Sequence, residues 1–431
     1  MVSESTGINE KGHLTFGGAD CVDLAEKYGT PLYVFDEGLI RKTCAAFKES
    51  IDQFYNGNGQ VLFASKAFSC KEMYRIVASE GLGADVVSAG EIYTAVSAGF
   101  DPANLFFHGN NKTPEEISYA LEVGVGRIVV DNMTELDTIE ALAKEQGKNV
   151  AVILRIKPGI DAHTHNFIRT GQIDSKFGFA LENGEAMEAA IKASKYDNLT
   201  LMGFHCHIGS QIFTVDPFNA AAKVMMRFMA EFRAETGIVI KELNLGGGFG
   251  VKYLDTDGQL PFEVFIEEVS KTLHKESDIF AYPLPKIFVE PGRAIVGPAG
   301  LTLYKIGCVK AIENVRTYVS IDGGMSDNPR YALYQSDYSI EIANKASQKK
   351  KFIATVAGKC CESGDLIQEH ALMQTPEVGD VLAVLTTGAY NYSMASNYNR
   401  IPRPAAVMVK DGEDRVIIRR ESLKDLLQYD V

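Results

Sequence analysis

The chain has 431 residues, 46% apolar and 23% charged, with a formal net charge of −13. This is the composition of an ordinary globular protein with ample material for a core, and it excludes wholesale disorder. The acidic balance, with no long basic run, argues against nucleic acid and anionic membrane surfaces as partners.

The stretch Met1–Lys11 is polar and lacks the apolar core of a signal peptide. No apolar run approaches the ~20 residues of a membrane span. Residues 32–36 read as a strand belonging to either part of the chain. Asp36 then reads as an N-cap, with Ile40, Cys44, Phe47 and Ile51 on one helical face. From Gln60, short apolar runs alternate with amphipathic helices. The runs are 61–65, 84–87, 105–107, 128–130, 150–154, 201–204, 240–245 and 287–289, and helices over 71–79, 91–98, 114–123 and 134–145 separate several of them. About eight βα units in roughly 230 residues have the count and size of a (β/α)8 barrel. After about Leu303 the rhythm becomes that of strands, at 317–321, 351–356, 381–385, 405–409 and 415–419, with Asp411-Gly412 as a hairpin turn. The expected fold is therefore α/β. A barrel over 37–285 is joined to a mostly β domain built from 1–36 and 286–431. The seven cysteines include no Cys-x-x-Cys pair, a pattern of reduced thiols that points to the cytoplasm.

The residues after the barrel strands carry the chemistry, because the carboxyl ends of parallel barrel strands open onto one face. Lys66 follows the first strand. In a partly dry mouth its amine becomes a nucleophile for aldehydes, although a strand-end lysine is also compatible with plain solvation. Gly246-Gly247-Gly248 follows the seventh strand, where a turn of backbone N–H groups suits a phosphate; a tight structural turn is the alternative. Glu290-Pro-Gly-Arg293 follows the eighth. Glu290 and Arg293 either pair with each other or divide the work, the carboxylate on a protonated ring nitrogen and the guanidinium on an anionic oxygen. His205 and His207, like His163 and His165, have the spacing of a zinc pair, but no carboxylate signature accompanies them, so no metal is expected. Stacking of a histidine on a flat cofactor is the competing use. Cys360-Cys361-Glu362 next to a Gly turn suits either a proton donor or a plain free thiol.

In this order the motifs resemble the diaminopimelate decarboxylases, of the alanine-racemase-like fold group of pyridoxal-phosphate enzymes. The resemblance runs from Tyr28-Gly-Thr-Pro-Leu-Tyr-Val-Phe-Asp36 to Tyr398-Asn-Arg-Ile-Pro-Arg-Pro404. It takes in Gly81–Ser88, Phe107–Lys112, Asp174–Gly178, His207–Gln211, Glu290–Arg293 and Cys361–Asp365. One departure is Ala-Ser-Lys66-Ala-Phe, where many relatives have Ala-Val-Lys-Ala-Asn. The resemblance implies pyridoxal 5'-phosphate as cofactor, joined to Lys66 as a Schiff base. It implies that His207 stacks on the ring, Glu290 keeps the ring nitrogen protonated, and Gly246, Gly247, Gly248 and Tyr390 close on the phosphate. Asp85, Ser210, Gly292 and Arg293 complete the implied cofactor set. Arg293, Arg330, Tyr334 and Tyr390 would grip the substrate carboxylate remote from the reaction, and Glu362 its ammonium. Cys361 would reprotonate the carbanion. Cys361 and Glu362 would come from the partner subunit of a homodimer with shared sites. The implied reaction turns meso-2,6-diaminopimelate into L-lysine, the last step of lysine biosynthesis. The alternative is a decarboxylase of the same fold acting on ornithine, arginine or carboxynorspermidine.

Overall fold

The computed structural model describes residues 2–160 and 175–431. His163, His165 and Asp174 of the Asp174–Gly178 motif lie outside the described residues. The chain divides into two compact units, Thr43–Gly250 with Gln259–Gly292, and Met1–Lys42 with Val251–Gly258 and Arg293–Val431.

The first unit is a closed parallel barrel. Its strands are Gly59–Ala64, Gly83–Val86, Leu105–Phe107, Arg127–Val130, Val150–Lys157, Leu199–His205, Glu242–Asn244 and Lys286–Val289, each paired with its neighbours in chain order. Lys286–Val289 closes the ring against the first strand in the register Ile287↔Gly59. The expected barrel limit at residue 285 is therefore corrected. The eighth strand belongs inside, because without it the first and seventh strands would be open edges. At the other end, residues 37–42 group with the β unit. Leu62, Phe106, Val129, Ile153 and Phe288 fill the barrel interior, so this is a packed core and not a pore. The helices follow their sequence signals. Thr113 and Glu116 form a reciprocal capping box at the start of Pro114–Val123, whose Ile117, Ala120 and Leu121 are buried, and Gly124 ends it in the left-handed region at φ 82°.

The second unit is mostly β. Its spine is the strand Gly300–Ile312. The first half of that strand pairs antiparallel with Leu32–Asp36 and Val381–Leu385, the second half with Arg316–Ile321. Leu32–Asp36 thus belongs here, and it also pairs in parallel with Ala405–Lys410. Asp411 (φ 52°) and Gly412 (φ 84°) make the expected hairpin turn to Glu413–Ile418. Val34, Leu301, Leu303, Ala383, Leu385 and Val407 lie in one core cluster with Leu14, Phe16 and Leu24 of the N-terminal segment. No helix of the described residues is long and apolar enough to cross a membrane.

Candidate active site

Within the barrel, the strand ends converge on Glu290, which is 6% exposed. One carboxylate oxygen lies 2.9 Å from His108 Nε2 and accepts the Asn244 amide at 2.7 Å. The other lies 3.2 Å from His205 Nε2. Burial pulls His205 down to about 4. It is therefore neutral near pH 7 and, with its proton on Nε2, donates to the carboxylate. Burial alone would drive Glu290 toward its neutral form, but the two imidazoles outweigh burial and hold it well below the usual carboxylate range. The result is a buried anion held between two imidazoles and the Asn244 amide. His108, His205 and Glu290 also place three metal-ligand atoms within 4.8 Å of one another. The pair that forms a cluster is therefore His205 with His108, not His205 with His207.

Asn244, fully buried at the end of the seventh strand, has a second contact. Its Oδ1 accepts the N–H of Gly246 at 2.9 Å, so one side chain ties the carboxylate to the glycine turn. The N–H of Gly247 donates to His207 Nδ1 at 3.2 Å. Two of the three turn amides are thus engaged within the protein, which narrows the expected phosphate cradle. The glycines themselves are demanded by close backbone approach. A Cβ at Gly246 would stand 2.5 Å from Cys206 O, at Gly247 2.2 Å from Glu290 O, and at Gly248 2.6 Å from Gly209 O. Gly292 likewise leaves no room, with Ala64 Cβ 2.9 Å from where its Cβ would be. His207 and Ser210 are half-buried. Burial and the nearby Lys66 charge hold His207 well below the ordinary histidine value.

Lys66 sits on the single turn Ser65–Ala67 that ends the first strand. Ser65 and Ala67 are buried, but Lys66 is exposed. The turn buries its two neighbours, and the Lys66 charge lies near enough to Asp85 and His207 to act on both. Asp85, 3% exposed, is pushed up by burial, and its Oδ1 has no hydrogen-bond partner among the described residues.

The β unit holds a second cluster, this one cationic. Arg293 and Arg330 are 5% and 7% exposed. Tyr390 presents its ring to both, at 4.8 and 5.4 Å from the guanidinium carbons, and Tyr334 lies 5.0 Å from that of Arg330. Among the described residues Arg330 has no carboxylate partner, and its buried Nε has no acceptor. Tyr390 holds a positive φ of 71°, a conformation that a bulky residue keeps only where its surroundings impose it. Tyr253, absent from the expectations, accepts from Arg293 at 2.5 Å. Burial raises its phenol, but the two guanidiniums prevail and hold it below the ordinary tyrosine value. Its one sequence signal is its place just past the glycine turn.

Cys361 and Glu362 are not part of this cluster. They are exposed on the turn that runs from Cys360 to Asp365. Glu362 lines a groove of about 440 Å3 with Met325, Pro329, Leu333, Met394 and Tyr398.

A family described as "Pyridoxal-dependent decarboxylase, pyridoxal binding domain" matches residues 37–297. The diaminopimelate decarboxylase of Bacillus subtilis is 47% identical over 425 residues, covering 98% of this chain and 96% of that protein. That of Bacillus methanolicus is 47% identical over 420 residues, covering 97% of each. Among solved structures, the diaminopimelate decarboxylase from M. jannaschii in complex with L-lysine superposes with a TM-score of 0.94 at 35% identity, covering 100% of this chain and 98% of that one. With a closed barrel, a β unit and similarity over nearly its whole length, the chain belongs to the diaminopimelate decarboxylase family of pyridoxal-dependent decarboxylases.

Proposed function

We propose that the chain decarboxylates meso-2,6-diaminopimelate to L-lysine with pyridoxal 5'-phosphate. The observation that carries the substrate choice is Arg330, a buried guanidinium with no carboxylate partner among the described residues. It calls for an anion from outside, which the side chains of ornithine and arginine do not offer.

The barrel residues fit the cofactor. Glu290 is an ionised carboxylate presented among buried donors, the partner that a protonated pyridine nitrogen requires. Asp85 keeps a buried oxygen without a donor. Lys66 would attach the cofactor covalently, His207 would lie on its ring, and Gly246, Gly247, Gly248, Ser210, Gly292, Arg293 and Tyr390 would complete its site. When bound, pyridoxal phosphate supplies the sink for the electron pair left as CO2 departs. The protein's own part is to hold and to deliver. Arg293, Arg330, Tyr334 and Tyr390 fix the far carboxylate and Glu362 the far ammonium, which orients the reacting carbon. Cys361 gives that carbon its proton. His108, His205 and Asn244 keep Glu290 charged and in place, so that carboxylate serves the ring nitrogen and no metal.

Cys361 and Glu362 act in the site of a second copy, in a homodimer. Their exposure supports this, as does the groove beside them, where Leu333, Met394 and Tyr398 are 49%, 37% and 42% exposed. The seven free cysteines support a cytoplasmic location.

The test is turnover of meso-diaminopimelate by the purified, cofactor-loaded protein, with L-lysine identified as product. Faster CO2 release from ornithine, arginine or carboxynorspermidine would remove the substrate assignment.

A further inference from the structure

Cys361 and Glu362 lie on one turn, and Arg330 ends the segment that begins at Gly323. Both pieces are tied to one carboxylate, Asp365, although the segment that begins at Gly323 is also held by Asp327, whose Oδ2 accepts the Gly324 N–H at 3.0 Å. Asp365, 3% exposed, accepts the N–H of Met325 at Oδ1 (2.6 Å) and the N–H of Cys360 at Oδ2 (2.7 Å). Backbone bonds close the same junction. Lys359 N–H donates to Gly323 O at 2.8 Å and Gly358 N–H to Asp365 O at 2.9 Å. The junction also accounts for two glycines. A Cβ at Gly324 would stand 2.4 Å from Asp365 Oδ2, and at Gly358 2.2 Å from the same atom. Neither glycine has a positive φ, so the space taken by the carboxylate is what excludes a side chain there. Beyond this anchor, residues 361–364 are exposed, and Cys361 N–H has one further tie, to Asn399 Oδ1 at 2.7 Å.

We propose that Asp365 is a positioning residue, whose carboxylate fixes the Cys361–Glu362 turn relative to the segment that presents Arg330. The inference rests on the roles proposed above for those three residues and adds the group that holds them in register. A carboxylate suits the task because both its oxygens only accept, so it satisfies two backbone donors at once. An amide of the same shape must turn its NH2 toward one of them, donor against donor. Asp365→Asn therefore keeps the volume and breaks one arm of the junction.

The test uses the cofactor-loaded protein and two readouts. In Asp365→Asn, kcat falls by about tenfold or more and KM rises severalfold, while the visible absorbance of the bound cofactor stays that of the wild type. Separately, the rate of Cys361 alkylation by iodoacetamide, followed by peptide mass spectrometry, changes by about threefold or more as the turn shifts. Cys308, also exposed, is the internal control and keeps its rate. The alkylation readout needs no substrate. If wild-type protein fails to turn over meso-diaminopimelate while Cys361 alkylation still shifts in the variant, the substrate assignment falls and the positioning role stands. If kcat, KM and Cys361 alkylation all match the wild type, the positioning role is overturned. It is overturned as well if Cys361 and Cys308 change together, since that reports general loosening. Should Asp365→Asn fail to fold, Gly324→Ala replaces it. It keeps the carboxylate but drives a methyl group into it, and the same outcomes decide.

Discussion

The barrel mouth and the arginine cluster of the β unit bury charge in opposite ways. In the barrel the Glu290 carboxylate accepts from Asn244 and lies against His108 and His205. In the β unit, guanidiniums are walled by the faces of Tyr334 and Tyr390, with the Tyr253 oxygen on Arg293. Aromatic faces stabilise a cation without using up its N–H donors, whereas a buried anion without donors would take up a proton instead. The first arrangement presets a charge for a cationic partner. The second leaves Arg330 without a carboxylate among the described residues, open to an anionic partner.

Substitutions can break that contrast, and the largest effect is expected at Lys66. Lys66→Ala should lower turnover by about three orders of magnitude or more and abolish the visible absorbance of the loaded protein. A variant that stays coloured and active would detach the barrel from the chemistry. Next comes Asn244→Ala, which strips a donor from Glu290 and an acceptor from Gly246 N–H. The expected cost is about 1–3 kcal/mol in denaturant unfolding, with weaker cofactor binding by titration. Unchanged cofactor affinity would show that the carboxylate needs no such support. Tyr253→Phe should raise KM by roughly three- to tenfold and leave kcat and the cofactor absorbance alone. An equal loss in kcat would move Tyr253 from substrate binding to the chemical step.

At Asp327 the readout is stability. Burial pushes this carboxyl up to about 7, opposed by donation from Tyr304 Oη at 2.6 Å and Gly324 N–H at 3.0 Å. Its shift is opposite to that of Glu290, and the sign follows. Between the ordinary aspartate value and 7 the folded protein keeps a proton that the unfolded chain has released, so this group's contribution to stability falls as pH rises. Relative to wild type, Asp327→Asn should therefore gain up to about 1.4 kcal/mol per pH unit across that window. Parallel stability curves would mean that Asp327 is ionised throughout.

The barrel was legible in the sequence because its strands are short apolar runs, several of them followed by a helix with start and stop signals, as at Thr113 and Gly124. Gly300–Ile312 was not, because its two halves serve different neighbours and only the first half is buried on both faces. The three short strands Thr6–Ile8, Leu14–Phe16 and Ala19–Asp20 carry too few residues for a period to show. At the site, Lys66, Glu290 and the glycine run were readable as strand ends. The contacts among His108, His205, Asn244 and Glu290 were not, since they join residues 46 to 182 positions apart in the chain and depend on barrel closure. The exposure of Lys66 could not be read from an apolar strand either.

The contrast between the two clusters is tested most directly by substrate preference in Arg330→Gln. The ratio of kcat/KM for meso-diaminopimelate over L-ornithine is measured in the variant and in wild type, with cofactor absorbance followed in parallel. The expected result is a strong wild-type preference for meso-diaminopimelate that drops by about 100-fold in the variant, equivalent to roughly 2.7 kcal/mol of lost recognition, while the absorbance holds. An unchanged ratio, or a ratio that falls only together with the absorbance, would contradict the division of labour between the two clusters.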